Sequence, residues 1–271
     1  MKKLLGFSIF LVFVLIASLT AEAKVTLPAI FSDNMVLQQN TQVNVWGKAA
    51  PGEKVTVKAS WLDKPVTAKA AANGKWTVKL KTPKATTNQS VTVSGENEIT
   101  INNVLIGEVW LCTGQSNMEF PVSRHPDVKW NTGMLNEAEE LKDADYPEIR
   151  LFHVKHQLAH EGELDDCEGE WLVCNPKNLY DFSAVGFVFG RKLYKELKMP
   201  VGLIQSTWGG THAESWTKLD VMKKNPLYAD VLKDFALEGV KQQKNYCKVP
   251  ATLWNGMIHP ILGYTIKGNI W

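Results

Sequence analysis

Short runs in which apolar and polar residues alternate fill the first part of the chain, from about residue 25 to residue 103. The runs are Thr41–Trp46, Lys54–Trp61, Val66–Ala70, Lys75–Leu80, Ser90–Ser94 and Glu98–Asn102. A period of two residues predicts half-buried β-strands, and runs at this spacing are typical of an antiparallel sandwich. The dipeptide Asn73-Gly74 separates the third run from the fourth and favours a hairpin between them. We therefore expect a small β-sandwich over residues 24–103 with its own apolar core, in which Trp46, Trp61 and Trp76 are at least partly buried.

The pattern changes after residue 103, where Val104–Cys112 is almost continuously apolar. Such runs are typical of parallel strands that are buried on both faces. Three later segments resemble it, namely Ile149–Val154, Val201–Gln205 and Thr265–Trp271. Ser183 can cap a helix that runs to Lys198 and carries one apolar side, formed by Val185, Phe189, Leu193 and Leu197. Strands that alternate with helices predict a parallel α/β domain over residues 104–271, whose long connections 120–148 and 155–182 frame a binding site.

The first 23 residues have the layout of a targeting signal. Lys2 and Lys3 precede an apolar run from Leu4 to Ile16, and Ala21-Glu22-Ala23 matches a cleavage pattern. The alternative is an uncleaved membrane anchor, but the run is short for a span of ~20 residues. We expect cleavage after Ala23 and a secreted or periplasmic mature protein without stable membrane insertion.

Composition narrows the classes of protein that the chain can represent. Its 271 residues are 45% hydrophobic and 21% charged, which excludes a disordered chain and a membrane protein with many spans. Thirty basic and 28 acidic residues give a net charge of +2, so nucleic acid is not an expected partner. Export permits disulfides, and Cys167 and Cys174 lie close together in sequence. No cysteine pair has C-x-x-C spacing, and free thiols and one bridge both remain open.

Ser116 is the first candidate for chemistry, because it follows the buried strand Val104–Cys112 through a glycine, Gly114. Ligands of parallel sheets bind at the carboxyl ends of the strands, and a serine at such a turn exposes its hydroxyl. Ser116 is therefore a candidate nucleophile, and its backbone N–H can face an incoming carbonyl oxygen. A lone Gly-x-Ser also fits a serine that only caps a helix.

A histidine group offers a competing site for a metal. His153, His156 and His160 could share one side of a helix, but residues 149–154 fit a strand and no carboxylate has the spacing of a metalloprotease. We expect no metal and no cofactor.

Several collinear motifs resemble one known family across nearly the whole mature chain. They are Leu27–Gln38, Gly114-Gln-Ser-Asn-Met118, Phe182–Phe187, Pro200–Ile204, Ser206-Thr-Trp-Gly-Gly-Thr211 with Glu214 and Trp216, Trp254–Ile258 and Ile266–Trp271. The second is similar to the first block of the SGNH hydrolases, in the form found in sialate O-acetylesterases and related carbohydrate acetylesterases, and the fifth is similar to their second block. The resemblance implies a flavodoxin-like hydrolase domain behind the β-sandwich.

The family's activity is acyl transfer, and the resemblance implies roles for the residues of both blocks. Ser116 would form an acetyl-enzyme that water resolves. The oxyanion hole would use the N–H groups of Ser116 and of Gly210, or alternatively Gly209, with a side chain of a third block. Gln115, Asn117 and His212 are candidates for substrate binding, although an exposed His212 without a role fits equally well. The substrate would be an O-acetylated sugar or glycan, and the oligomeric state stays open.

One element of the family is missing from this sequence. The general base of the family is a histidine three residues after an aspartate, and no Asp-x-x-His occurs here. We expect that the chain is truncated before the third block and that it is a poor esterase alone. Two hypotheses follow: a secreted serine esterase that acts on O-acetyl sialate, acetyl-xylan or another glycan, and a non-catalytic carbohydrate-binding protein.

Overall fold

The computed structural model describes residues 24–128, 131–238 and 246–271, so the expected signal peptide lies outside the described residues. The strands are β1 (Val36–Gln38), β2 (Gln42–Lys48), β3 (Lys54–Ala59), β4 (Val66–Lys69), β5 (Lys75–Lys81), β6 (Thr86–Ser94), β7 (Glu98–Gly114), β8 (Tyr146–His153), β9 (Trp171–Cys174), β10 (Val201–Thr207) and β11 (Gly268–Ile270). The α-helices are α1 (Ser116–Glu119), α2 (Glu137–Lys142), α3 (Pro176–Leu179), α4 (Ala184–Leu197), α5 (Leu219–Lys223) and α6 (Ala229–Glu238). Short 3₁₀ turns span Ala213–Trp216, Pro226–Tyr228, Tyr246–Lys248 and His259–Ile261, and a π-helical turn spans Trp254–Ile258.

Strand β7 organises the fold because its 17 residues take part in two different arrangements. Its first part pairs with β6 in an antiparallel sheet of order β4-β3-β6-β7, and β1 adds to β7 in parallel. Its second part lies between β10 and β11, both parallel to it, and β8 continues the parallel order beyond β10. Strand β9 is an antiparallel edge on β8. The chain is therefore a mixed α/β protein with a mostly parallel central sheet, and the domain boundary at residues 103 and 104 remains a prediction because β7 continues through it.

The expected hairpin at Asn73-Gly74 is wrong, although the chain does turn there. Gly74 has a φ of +76°, but β4 pairs with β3, while β5 pairs with β2 in a separate two-stranded sheet. The reason is side-chain burial. Strand β2 places Val43 and Val45 opposite Leu80 and Val78 of β5, and this joint apolar face covers the core.

The antiparallel strands show the alternation that the sequence predicts. In β5, the buried residues Trp76, Val78 and Leu80 alternate with exposed lysines and a threonine. Trp46 and Trp61 are partly buried, as expected. The expectation of a separate core is wrong, because the same apolar cluster continues into residues of the parallel half such as Phe152 and Trp171.

Helix α4 forms where expected, but only half of its predicted apolar side packs on the core, namely Phe189 and Leu193. Ser183 caps it, since its hydroxyl accepts a hydrogen bond from the N–H of Gly186 at 3.0 Å. The buried positions include Gly186, Phe187 and Gly190, whereas Val185 and Leu197 of the predicted apolar side are exposed. A Cβ on Gly190 would lie 2.5 Å from a methyl carbon of Leu203, so the small residues allow the helix to approach β10 closely.

The cysteines are free thiols, three of them buried. Burial raises the pKa of Cys112 to about 12, as it does for Cys167 and Cys174. Among the described residues, no helix has the length and apolar character needed to cross a membrane.

Candidate functional site

The turn that carries Ser116 lies at the carboxyl edge of the parallel sheet. Strand β7 ends at Gly114, whose φ is +143°, and helix α1 begins at Ser116. The neighbouring strand β10 ends at Thr207, which is opposite Gly114 in register. The N–H of Trp208 then donates to the carbonyl oxygen of Gly114 at 3.2 Å. The loops that follow these two neighbouring strands therefore leave the sheet side by side, as the parallel order requires.

The structure brings Ser116 and the two-glycine loop together, as we expected. A Cβ built on Gly209 would lie 3.3 Å from Ser116 Oγ and 3.4 Å from its Cα. A Cβ at position 209 would also lie 2.7 Å from Glu119 Oε2, so a larger residue there requires these neighbours to shift. Gly210 has a φ of +72°, which favours glycine, and faces open space. Ser116 itself is exposed.

Glu119 joins these two loops to a third segment. One helical turn after Ser116, its Oε2 accepts a hydrogen bond from the backbone N–H of Gly209 at 2.5 Å. Its Oε1 lies 2.8 Å from Nε2 of His156, which follows β8. The same nitrogen is 3.0 Å from the carbonyl oxygen of Thr207. Two acceptors around one ring nitrogen indicate that Nε2 carries a proton and donates to both.

Trp208 completes this cluster. Its ring is stacked on His156, with centroids 3.9 Å apart and an interplanar angle of 4°. The Glu119 side chain is 20% exposed. Burial opposes its ionisation, but hydrogen bonds from His156 and from the Gly209 N–H outweigh this and lower the pKa of Glu119 below its ordinary value. The carboxylate is therefore the form that the cluster holds.

His153, at the end of β8, is a second titratable group near this cluster. Its pKa is lowered to about 4, mainly by burial and then by the nearby Lys155 and His156, while Asp181 and Glu119 act in the opposite direction. His153 is consequently neutral near neutral pH.

A cavity of about 450 Å³ opens in front of the serine. Its lining includes the predicted residues Gln115, Ser116 and Asn117, together with Val185 of α4 and Trp271. His212 does not line this cavity, and it is exposed immediately before the turn Ala213–Trp216. The candidates from the first block thus share one site, while His212 lies outside its lining.

A larger cavity, of about 800 Å³, lies between β2, β5 and the turn around His259. Trp46 and Trp76 contribute to its wall, and Lys48 and Lys75 both pair with Asp165 there. Ser116 does not line it, and Gly209 and Gly210 belong to the lining of neither cavity. The candidate residues of the first block therefore line the smaller cavity and not this one.

The serine hydroxyl has no hydrogen-bonded base in residues 24–128, 131–238 and 246–271. The histidines of the metal alternative are engaged elsewhere. His156 pairs with Glu119, and Nδ1 of His160 is 3.0 Å from Oγ1 of Thr252. Over the described part of the chain, no group of three histidine, cysteine or acidic side chains could hold a metal ion.

Sequence reasoning missed the roles of Glu119 and His156 in linking the loops. Glu119 carried a signal, because a residue three positions after Ser116 on a helix lies on the same side of it. No feature of the sequence indicates that His156 contacts Glu119, since the contact depends on how β8 is placed in the sheet. The long connection after β8, expected to frame a site, does supply this histidine.

Comparisons with known proteins agree with this geometry. Residues 106–256 match the family model described as "Carbohydrate esterase, sialic acid-specific acetylesterase". Sialate O-acetylesterase of Mus musculus is 31% identical over 283 residues, covering 90% of this chain and 50% of the mouse protein. The human sialate O-acetylesterase is 32% identical over 261 residues, with 89% and 46% covered.

A solved structure resembles the whole described fold. The crystal structure of a carbohydrate acetylesterase from Xanthomonas citri matches with a TM-score of 0.76 at 30% identity, covering 91% of this chain and 51% of that one. The chain spans about half the length of the curated relatives it matches. The family model covers more than half of the chain, and it includes both loops that meet at Ser116. The chain therefore belongs to the family of carbohydrate esterases described as sialic acid-specific acetylesterases.

Proposed function

We propose that Ser116 is the nucleophile of a serine esterase that removes O-acetyl groups from a carbohydrate, with O-acetylated sialate as the first substrate to test. The observation that carries the proposal is the position of Ser116. It is exposed at the carboxyl edge of the parallel sheet, with a two-glycine loop against its hydroxyl. This is where an α/β hydrolase needs both a nucleophile and backbone N–H donors.

The reaction proceeds in two acyl-transfer steps. Ser116 Oγ attacks the acetyl carbonyl carbon, and its proton passes to a base. The tetrahedral intermediate then breaks the bond to the sugar oxygen, which takes up that proton and leaves as the sugar hydroxyl. Water then hydrolyses the acetyl-serine and releases acetate. Stabilisation of the oxyanion is assigned to the N–H groups of Ser116 and Gly210. Gly210 is preferred to Gly209, because the Gly209 N–H is donated to Glu119.

The base is the component that this sequence does not supply in the family's form, since no Asp-x-x-His occurs in it. A serine hydroxyl without a base is a weak nucleophile near neutral pH. A positioned base is worth ~10²–10⁴-fold in rate. We therefore propose that the 271-residue chain by itself hydrolyses esters slowly.

Gln115, Asn117 and His212 are proposed to contact the sugar, the first two from the wall of the Ser116 cavity. Sialate is preferred because the similar mouse and human proteins are sialate O-acetylesterases. The similar Xanthomonas citri protein is a carbohydrate acetylesterase, which keeps acetyl-xylan and other acetylated glycans as alternatives. We further propose that residues 1–23 direct export and that the mature chain, beginning near Lys24, is secreted or periplasmic.

The test measures acetate released from an aryl acetate, an O-acetylated sialic acid and acetylated xylan, with and without added imidazole as a diffusible base. We expect slow release that imidazole increases, by less than the ~10²–10⁴-fold of a positioned base. Ser116→Ala should show only the reaction of imidazole in solution, and Ser94→Ala, a control in β6, should behave as the parent.

Equal rates in the parent and Ser116→Ala would overturn the esterase proposal and favour a non-catalytic carbohydrate-binding protein. Fast turnover without imidazole that disappears in Ser116→Ala would support the esterase proposal. It would contradict the proposal that the 271-residue chain hydrolyses esters slowly. In that case a base lies within these residues, and His212 and His259 are the first to substitute.

A further inference from the structure

The carboxylate of Glu119 is positioned beside the nucleophile, although it does not contact the hydroxyl. The Cβ position of Gly209 lies 2.7 Å from Glu119 Oε2 and 3.3 Å from Ser116 Oγ. Serine and carboxylate therefore approach the same glycine from helix α1. Because Ser116 and Glu119 are the ends of one helical turn, their separation is fixed by the backbone of that turn.

Each carboxylate oxygen of Glu119 has a different donor. Oε2 takes the Gly209 N–H at 2.5 Å, and Oε1 takes His156 Nε2 at 2.8 Å. Hydrogen bonds to an ionised acceptor are shorter and stronger than those between neutral groups. A carboxylate with only 20% exposure is costly unless it is paired, so both donors are needed to hold it.

His156 is itself fixed by two contacts from the loop that it helps to hold. Its Nε2 also donates to the Thr207 carbonyl oxygen at 3.0 Å, and its ring stacks on Trp208. Glu119 and His156 together thus contact three successive residues of the segment Thr207–Gly209. Gly210, the next residue, has a free approach from solvent.

We infer that Glu119 is a positioning residue, which with His156 fixes the Gly209 N–H so that the following amide, that of Gly210, faces the acyl group on Ser116. This inference rests on the proposed function, because acyl transfer at Ser116 is what requires an oriented amide in the loop. It also explains why the Gly209 amide is withdrawn from the oxyanion hole. A displacement of about 1 Å at a reacting group can cost 10²-fold in rate.

The first test observes the Gly209 amide directly by NMR. Labelling tryptophan with ¹³C at the carbonyl and glycine with ¹⁵N selects two residues, Gly47 and Gly209, because these are the glycines that follow a tryptophan. We expect the Gly209 proton to resonate downfield and to move upfield in Glu119→Gln, while Gly47 in β2 stays unchanged.

The same resonance supplies a test that needs no variant at position 119. As pH falls, protonation of Glu119 should shift the Gly209 proton with an apparent pKa below the ordinary glutamate value. The titratable groups that face Glu119 are His156 and His153, and His153 protonates in the same range. The titration should therefore persist in His153→Gln and disappear in Glu119→Gln.

The second test measures how fast a fluorophosphonate modifies Ser116 when imidazole is added as the diffusible base. We expect the rate to fall about 10- to 100-fold in Glu119→Gln, because the neutral amide cannot accept from both donors. Glu119→Asp keeps the negative charge, so its rate of modification should lie between those of Glu119→Gln and the parent. Glu196→Gln, at an exposed pair with Lys192, is the matched control.

The outcomes separate the inference from the proposed function. A Gly209 resonance that neither titrates nor moves in Glu119→Gln overturns the inference. So does a moved resonance with an unchanged rate at Ser116, since the contact then has no effect on the nucleophile. If Ser116 never reacts in the parent chain while the Gly209 resonance titrates, the proposed function fails and the contact between Glu119 and Gly209 stands.

Discussion

Strands β5 and β10 are both seven residues long, yet their burial differs completely. In β5 every second residue is buried, whereas all seven residues of β10 are buried. Strand β5 lies in a two-stranded sheet with one face on the core, while β10 lies between β7 and β8 with helix α4 against it. The antiparallel strands therefore bury one face against the core. The central parallel strand β10 is buried on both faces and holds its loop at the carboxyl edge of the sheet.

This difference predicts that alanine substitutions at two consecutive positions have unequal effects on stability in β5 and similar effects in β10. These are the largest changes in the free energy of unfolding that we expect. In β5, Leu80→Ala should lower the free energy of unfolding by about 2–5 kcal/mol, while Lys79→Ala should change it by less than about 0.5 kcal/mol. In β10, Leu203→Ala and Ile204→Ala should each cost about 2–5 kcal/mol, because both side chains are buried. Urea unfolding of the four variants provides the measurement. A tolerated Ile204→Ala would contradict the enclosed arrangement of β10.

Acid should lower the free energy of unfolding through His153, at the end of β8 in the parallel sheet. This effect is intermediate in size. Its pKa is about 4 in the folded protein and ~6.5 in an unfolded chain, so between these values the unfolded state binds more protons. The contribution to stability is thus present above pH 6.5 and is lost as pH falls toward 4. From pH 7 to pH 5 this amounts to about 2 kcal/mol.

The measurement compares unfolding free energies at pH 7 and pH 5 in the parent and in His153→Gln. The variant should lose about 2 kcal/mol less on acidification. Identical pH dependence in parent and His153→Gln would contradict the burial of this imidazole.

A smaller effect tests the close approach of α4 to β10. Gly190→Ala adds a Cβ 2.5 Å from Leu203, an overpacking that costs about 1–3 kcal/mol and is partly offset by the better helix propensity of alanine. We expect a net loss of about 1–2 kcal/mol. Val188→Ala on the exposed side of the helix should be near neutral. A stabilised Gly190→Ala would mean that the helix and β10 are farther apart than described.

The two halves also differ in what the sequence alone predicts. Alternation locates β2, β3 and β5 closely, because period-two burial is a local property. It cannot predict that β5 pairs with β2 and not with β4, since strand pairing is decided by which apolar faces cover one core. In the parallel half, the order of β7 and β10 and the meeting of Ser116 with Gly209 follow from motifs and topology.

The packing face of α4 and the Glu119–His156 contact were not predictable in the same way. Gly186 and Gly190 make close approaches to the sheet beside the buried Phe187, and glycines carry no hydrophobic signal. Glu119 and His156 are 37 positions apart and are joined only by the placement of β8. Predictions fail where tertiary placement, and not local pattern, decides the contact.

Ser116 is the proposed reactive group at the edge that β7 and β10 share. The most direct measurement is to treat the purified chain with a fluorophosphonate, with imidazole added as the diffusible base, and to locate the adduct by peptide mass spectrometry. We predict one adduct, on Ser116, which is absent from Ser116→Ala and unchanged in Ser94→Ala. An adduct on another serine, or equal labelling of Ser116→Ala, would contradict the assignment of the nucleophile.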